Sequence, residues 1–157
     1  MVQNGLVLRR YTPSDQRVIL SLHYQALEEV GILDRDKARG QDLRNIEKIY
    51  FLNGGEFLVG TIEDHVVTMG GLRRVNTTTG KIVRMRVHPA WRRKGLGGAI
   101  LNQLEQRARE LGYRQLILDT MAVRTAARQF YVKKGYSERG RGKNKGREVV
   151  YFQKKLE

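Results

Sequence analysis

Seven consecutive residues, Arg92-Arg93-Lys94-Gly95-Leu96-Gly97-Gly98, set three cations and three glycines at the start of an amphipathic run. A helix N-terminus leaves about four N–H groups unpaired and carries a partial positive charge, so it favours an anion. Glycines let the backbone approach a diphosphate without Cβ collisions. The cations add charge around it. The phosphate-loop pattern G-x-x-x-x-G-K-[ST] is absent. A G-x-G-x-x-G fingerprint fails, because Ile100 stands where the third glycine belongs, and a first strand–helix unit near residue 90 is foreign to that fold. What fits is Arg92-x-x-Gly95-x-Gly97, preceded by Val87-x-Pro89.

Other reactive side chains are sparse. The chain has no cysteine, which removes disulfides, thiolate metal sites and a cysteine nucleophile together. His23, His65 and His88 are scattered without metal-ligand spacing, so no metal is expected. Glu28 and Glu29 end a helical pattern, while Glu63 and Asp64 fall at a turn; none of them stands out as a general base. Tyr131 sits beside Phe130 on an apolar helix face, where an aromatic is ordinarily packing.

The elements that must position these residues follow from periodicity. Leu6–Arg10 reads as a strand, and Thr12-Pro13-Ser14-Asp15 starts a helix carrying Val18, Ile19, Leu22, Ala26 and Leu27. A charged loop, Leu33 to Gly40, leads to a second helix with Leu43, Ile46, Ile49 and Tyr50. Residues 57–62 and 66–72 form a hairpin about Glu63-Asp64-His65. Lys81–Val87 is a strand that stops at His88-Pro89. From Gly97 a long helix carries Ile100, Leu101, Leu104, Ala108 and Leu111, and Leu116-Ile117-Leu118 is a buried strand. Thr125–Lys134 is a helix broken by Gly135-Tyr136. After a Gly/Lys/Arg loop, Val149–Phe152 is the last strand. No repeat or long linker divides the 157 residues, so one domain over 1–157 is expected.

The net charge is +14, from 30 Lys and Arg against 16 Asp and Glu, which suits a polyanionic partner or a phosphate-rich cofactor. The surplus concentrates in Arg84–Lys94 and Lys133–Arg147. No stretch approaches the ~20 apolar residues of a membrane span, and the start shows no signal-peptide pattern. A soluble, cytoplasmic protein is expected.

Over Arg84 to Tyr136 the sequence resembles the GCN5-related N-acetyltransferase superfamily. Arg92-Arg93-Lys94-Gly95-Leu96-Gly97 matches its R/Q-x-x-G-x-G/A signature, and Phe130-Tyr131-x-x-x-Gly135-Tyr136 matches its second landmark, in the right order. The resemblance implies an α/β (α+β) fold with a mixed, mostly antiparallel central sheet flanked by helices. Two parallel strands, ending at Val87 and near Asp119, would splay to admit the pantetheine arm of acetyl-CoA. Backbone groups of Met85, Arg86 and Val87 would pair with that arm, and Arg92, Arg93, Lys94, Gly95, Leu96, Gly97 and Gly98 would hold the pyrophosphate. Tyr131 would protonate the leaving thiolate. Two departures stand out: Arg124 replaces the asparagine many members carry before the second helix, and the strand Lys81–Val87 has no glutamate to act as base.

The implied reaction is direct transfer of an acetyl group from acetyl-CoA to a primary amine in a ternary complex. Two alternatives remain open: a basic RNA- or ribosome-associated binding module using Arg139–Arg147, and an acyl-CoA-binding domain without catalysis. The acceptor amine is unidentified, a homodimer is left open, and the basic segment disfavours polycationic acceptors.

Overall fold

A computed structural model of the chain describes residues 5–32 and 40–157. Strand β1 (Val7–Arg10) is followed by a single turn, Pro13–Asp15, and helix α1 (Gln16–Glu28). Asp15 locks this entry. It accepts the Thr12 N–H at 2.9 Å and takes both arms of the Arg9 guanidinium at 2.7 and 2.8 Å. The Leu33–Gly40 loop lies, apart from Gly40, outside the described residues.

Residues 41–53 do not form the single helix that the spacing of Leu43, Ile46, Ile49 and Tyr50 predicts. They make a turn at Gln41–Arg44, a one-turn helix α2 (Ile46–Ile49) and a further turn at Phe51–Asn53. Asn45 interrupts the path with an extended φ of −139°, and its side-chain amide donates to the Gln41 carbonyl at 3.1 Å. Asparagine offers the backbone this alternative to a helix. The apolar residues still reach one face, with Leu43, Ile46 and Tyr50 at most 2% exposed.

Strands β2 (Glu56–Ile62), β3 (His65–Arg74) and β4 (Thr79–Val87) form an antiparallel meander. Helix α3 (Leu96–Glu110) leads to β5 (Gln115–Met121), helix α4 (Thr125–Lys133), β6 (Ser137–Asn144) and β7 (Arg147–Lys155). The seven strands lie in the order β1-β2-β3-β4-β5-β7-β6. Only β4 and β5 are parallel; every other pairing is antiparallel. The mixed, mostly antiparallel sheet is therefore as expected.

Alternation along the strands feeds two cores, one on each face of the sheet. Leu58, Leu72, Ile82, Leu116 and Leu118 pack with Ile100, Leu101, Leu104 and Ala108 of α3 and Tyr131 of α4. Phe57, Val59 and Met69 pack instead with Ile19 and Leu22 of α1 and with Leu43, Ile46 and Tyr50. Fully burying one such aliphatic side chain contributes about 1.5–3 kcal/mol.

The expected Gly/Lys/Arg loop after Tyr136 is in fact strand β6, joined to β7 through Lys145-Gly146. Both turn residues have positive φ, 51° and 79°, and Asn144 pairs with Arg147 across them. That geometry suits a two-residue hairpin. Exposed arginines and glycines hide the strand in the sequence because its pairing with β7 supplies the order, and charge on an edge strand blocks further pairing.

Candidate active site

The parallel junction is short. Thr79, Gly80 and Lys81 pair with Gln115, Leu116 and Ile117, and no farther. Beyond these three pairs β4 stays with β3 and β5 with β7, so a cleft opens between them. Ile82 to Arg86 line one wall of a cavity of about 340 Å³, with Asp119, Thr120, Arg124, Ala127 and Tyr131 opposite. A second cavity of about 190 Å³ continues from it, sharing Arg84, Arg86, Asp119, Thr120, Arg124 and Asn144.

A bulge shapes the β4 wall. Val83 pairs with Gly71 and Arg86 with Met69, so Arg84 and Met85 together face Gly70. A Cβ at Gly70 would meet Met85 Sδ and Ile100 Cγ2 at 2.6 Å, so only glycine fits. Arg84 adopts φ 57°, a strain of roughly 1–2 kcal/mol for a residue with a side chain. Its guanidinium is compensated by Asp42, at 2.7 and 3.1 Å, and Asp42 also accepts the Tyr50 hydroxyl at 2.6 Å. Burial alone would raise the Asp42 pKa, yet Arg84 and Tyr50 hold it below the usual carboxylate value.

At the cleft's outer end, Gly95 takes φ 80° and starts α3. The first paired amide there is that of Ala99, which donates to the Gly95 carbonyl at 3.1 Å. Among the described residues the N–H groups of Arg93 through Gly98 donate to no backbone or side-chain acceptor. The Gly97 Cβ direction lies 3.6 Å from Val87 and 3.8 Å from Phe130, so this run of amides sits between the end of β4 and α4. Leu96 is buried against Ile62 and Val67 and anchors the turn.

The three cations of the loop are not equivalent. Arg92 is held by Glu29 through two hydrogen bonds of 2.5 and 2.6 Å and donates from Nε to the Val87 carbonyl at 3.3 Å. It ties the loop to α1 and β4 rather than standing as a spare charge. Arg93 and Lys94 are exposed. Met85 packs against the α3 core, and its carbonyl accepts Arg86 Nη1 at 3.1 Å. The carbonyls of Met85 and Val87, expected to meet the pantetheine, are thus each engaged by an arginine of this chain.

The second landmark has a local cause. Gly135, at φ 93°, ends α4 with its N–H on the Val132 carbonyl, and Tyr136 N–H returns to the Tyr131 carbonyl at 3.0 Å. This double closure needs the left-handed conformation that glycine adopts without penalty. It packs Tyr136 edge-on against Tyr131 at 5.8 Å, and Glu105 accepts the Tyr136 hydroxyl at 2.7 Å and Lys154 at 3.1 Å. Tyr131 is thereby fixed with its ring in the core and its residue lining the larger cavity. Its hydroxyl hydrogen-bonds to no described residue. Burial pushes its pKa up to about 12, with Arg86 and Arg124 pulling the other way.

What sequence reasoning missed is the convergence of charge. Asp42 and Asp119 are the carboxylates lining the cavities, and Asp119 is paired with Lys81 at 2.9 Å. Arg84 and Arg86 of β4, Arg124 of the loop before α4 and Arg147 of β7 come to the same space, from two strands and a loop. Burial, with Arg124 and Arg84 nearby, lowers the Arg86 pKa to about 10, still charged at neutral pH. On the β6–β7 hairpin Arg141 is paired with Glu138 and Glu148, so that basic segment is partly neutralised. Among the described residues no group of three or more His, Asp or Glu could hold a metal, and no helix is long and apolar enough to cross a membrane.

Comparison with known proteins agrees with this architecture. The family model described as Acetyltransferase (GNAT) family matches residues 23–136. Human N-acetyltransferase 8 is 31% identical over 105 residues, which are 63% of this chain and 46% of that protein. Rat N-acetylaspartate synthetase is 27% identical over 141 residues, 88% of this chain and 46% of that protein. The chain thus spans about half the length of the curated relatives it matches. A GNAT superfamily phosphinothricin acetyltransferase from Sinorhizobium meliloti, solved in complex with acetyl-CoA, superposes with a TM-score of 0.81 at 20% identity. The match covers 97% of this chain and 89% of that one. With both landmarks, the splayed parallel pair and a family match over most of its length, the chain belongs to the acetyltransferase (GNAT) family.

Proposed function

We propose that this chain transfers an acetyl group from acetyl-CoA to a primary amine by direct attack within a ternary complex. The observation that carries the reading is the run of unpaired amides from Arg93 to Gly98 at the mouth of the β4/β5 cleft. In it the amides of Arg93 to Gly98, with Arg93 and Lys94, hold the pyrophosphate, and the pantetheine lies along Met85, Arg86 and Val87.

A primary amine with pKa near 10 is mostly protonated at neutral pH and must lose a proton before attack. Asp42 is buried between Arg84 and Tyr50, whereas Asp119, paired only with Lys81, keeps a partly exposed side chain and is the cavity carboxylate better placed to take that proton, directly or through water. The nitrogen then bonds to the thioester carbon, with backbone N–H groups near Val87 supporting the oxyanion. The carbon–sulfur bond breaks as CoA leaves. Nitrogen loses two protons in all: the one taken before attack leaves through Asp119 to solvent, and the one shed as the amide forms balances the proton gained by sulfur. Tyr131 keeps its own proton at neutral pH, since burial raises its pKa, and donates toward the departing thiolate. A phenol at about 12 facing a thiol near 8.5 supports that sulfur chiefly by hydrogen bonding until the proton balance closes.

Calorimetry with acetyl-CoA, followed by release of free CoA thiol with a panel of amines, tests the reading. Binding together with amine-dependent thiol release is expected. Absence of both would refute it, and binding without release for any amine would leave an acyl-CoA-binding domain.

A further inference from the structure

The smaller cavity presents more positive charge than the described residues neutralise. Arg86, Arg124 and Arg147 line it or its rim, and each guanidinium donates only to a backbone carbonyl among the described residues. Arg86 Nη1 meets Met85 at 3.1 Å, Arg124 Nη2 meets Ala26 at 2.6 Å, and Arg147 Nη1 meets Val30 at 3.0 Å. A guanidinium carries five N–H donors, so most donors of the three groups meet no acceptor among the described residues. The bonds to Ala26 and Val30 explain two of the arginines structurally, since they cap the C-terminal end of α1, where cations are favoured. They do not explain Arg86. Its Nε is buried and has no hydrogen-bond partner, a state that costs free energy unless a ligand relieves it. Asp119, the one carboxylate on this cavity's wall, is already paired with Lys81.

We propose that the acceptor is a small amine bearing a carboxylate on a neighbouring carbon, an α-amino acid, and that Arg86, with Arg124 and Arg147, binds that carboxylate. This rests on the acetyl-transfer reading above and assigns its substrate class. The two cavities are continuous through Arg86, Asp119 and Arg124, so a carboxylate in the smaller one leaves its amine beside Asp119 at the edge of the larger. A space of 190 Å³ equals about six water molecules of liquid volume, the scale of a free amino acid. Planar guanidinium groups also match carboxylate geometry, with two parallel bonds where access allows.

The test is steady-state release of CoA thiol at saturating acetyl-CoA, comparing alanine, aspartate and glutamate with their α-amides, an acidic-N-terminus peptide and spermidine. The α-amide loses its ammonium proton more readily, so intrinsic reactivity favours it. We expect kcat/KM nevertheless to favour the acid by roughly 10- to 100-fold, the value of a charge-assisted contact. In Arg86→Met that ratio should fall toward one, through KM more than kcat. Should the variant not fold, the wild-type ratio decides alone. Amides, the peptide or spermidine matching the free acids would overturn the proposal while leaving acetyl transfer standing. Bound acetyl-CoA with no turnover of any amine would remove both.

Discussion

Gly97 is the second residue of α3, and it has a φ that any residue can adopt. A Cβ there would meet Val87 at 3.6 Å and Phe130 at 3.8 Å, ordinary contact distances. Gly97→Asp therefore fits the unliganded fold. It also replaces glycine in a helix and puts an acid in the first turn, which together stabilise by about 0.5–1.5 kcal/mol. For a chain of this size that is an apo Tm raised by a few degrees, roughly 1–5 °C. The effect on a bound diphosphate is opposite. One carboxylate about 4 Å from one phosphate charge repels it by about 4 kcal/mol at an effective dielectric of 20. Acetyl-CoA affinity should then fall by roughly 10³-fold, with part of the loss recovered at high salt. Thermal scans of the apo variant and calorimetry with acetyl-CoA at two ionic strengths measure both signs. Gly97→Ala, which adds the Cβ without the charge, should lose much less. A folded Gly97→Asp protein with wild-type affinity would show that the diphosphate does not lie on these amides.

Excess acetyl-CoA should raise the Tm by mass action, and free adenosine far less, because the phosphates carry the charge; equal shifts in the scan would contradict the loop assignment. Tyr131→Phe keeps the ring contacts with Phe130, Tyr136 and Phe152, so its Tm should be near wild type while turnover falls by roughly 10²-fold. Full turnover with chemistry shown to be rate-limiting would return Tyr131 to the core. The folded pKa of Asp42 is depressed by Arg84 and Tyr50. Its stabilisation is therefore present above the ordinary carboxylate pKa and is lost as pH falls through the lower folded value. Acid titration of Asp42→Asn should show a shallower loss of stability below about pH 4 than wild type, and parallel curves would show that the pair is not linked to folding.

Much of this architecture is legible locally. The amphipathic face of α3, the glycines at 95, 97 and 98, and the Gly135-Tyr136 closure are set by neighbours a few residues apart. The second predicted helix fails because the spacing of Leu43, Ile46 and Tyr50 records burial but not the backbone competition at Asn45. Strand β6 is invisible because its order comes from β7, not from its own side chains. Gly146 held the available signal, a glycine where the turn needs a left-handed residue, and Lys145 beside it adopts the same conformation without advertising it. At the site, the bulge at Arg84 depends on Gly70 and Asp42, which are distant in sequence. The gathering of Arg86, Arg124 and Arg147 is a tertiary fact of the same kind. In sequence each is one cation among thirty.

The three-pair junction between β4 and β5 also bears on how the sheet responds to force and to solvent. Strands β1 to β4 form one ribbon and β5, β7 and β6 another, stitched directly at Thr79–Lys81 and Gln115–Ile117. If acetyl-CoA binds as proposed, its pantetheine would lie in the open fork as a short eighth strand with no chain connection to either ribbon. It would add backbone pairing where β4 and β5 have none, on top of the shared core through which α3 already packs against both ribbons. Hydrogen exchange would register this as added protection at Ile82–Val87 and Leu118–Met121 together, with Thr79–Lys81 little changed.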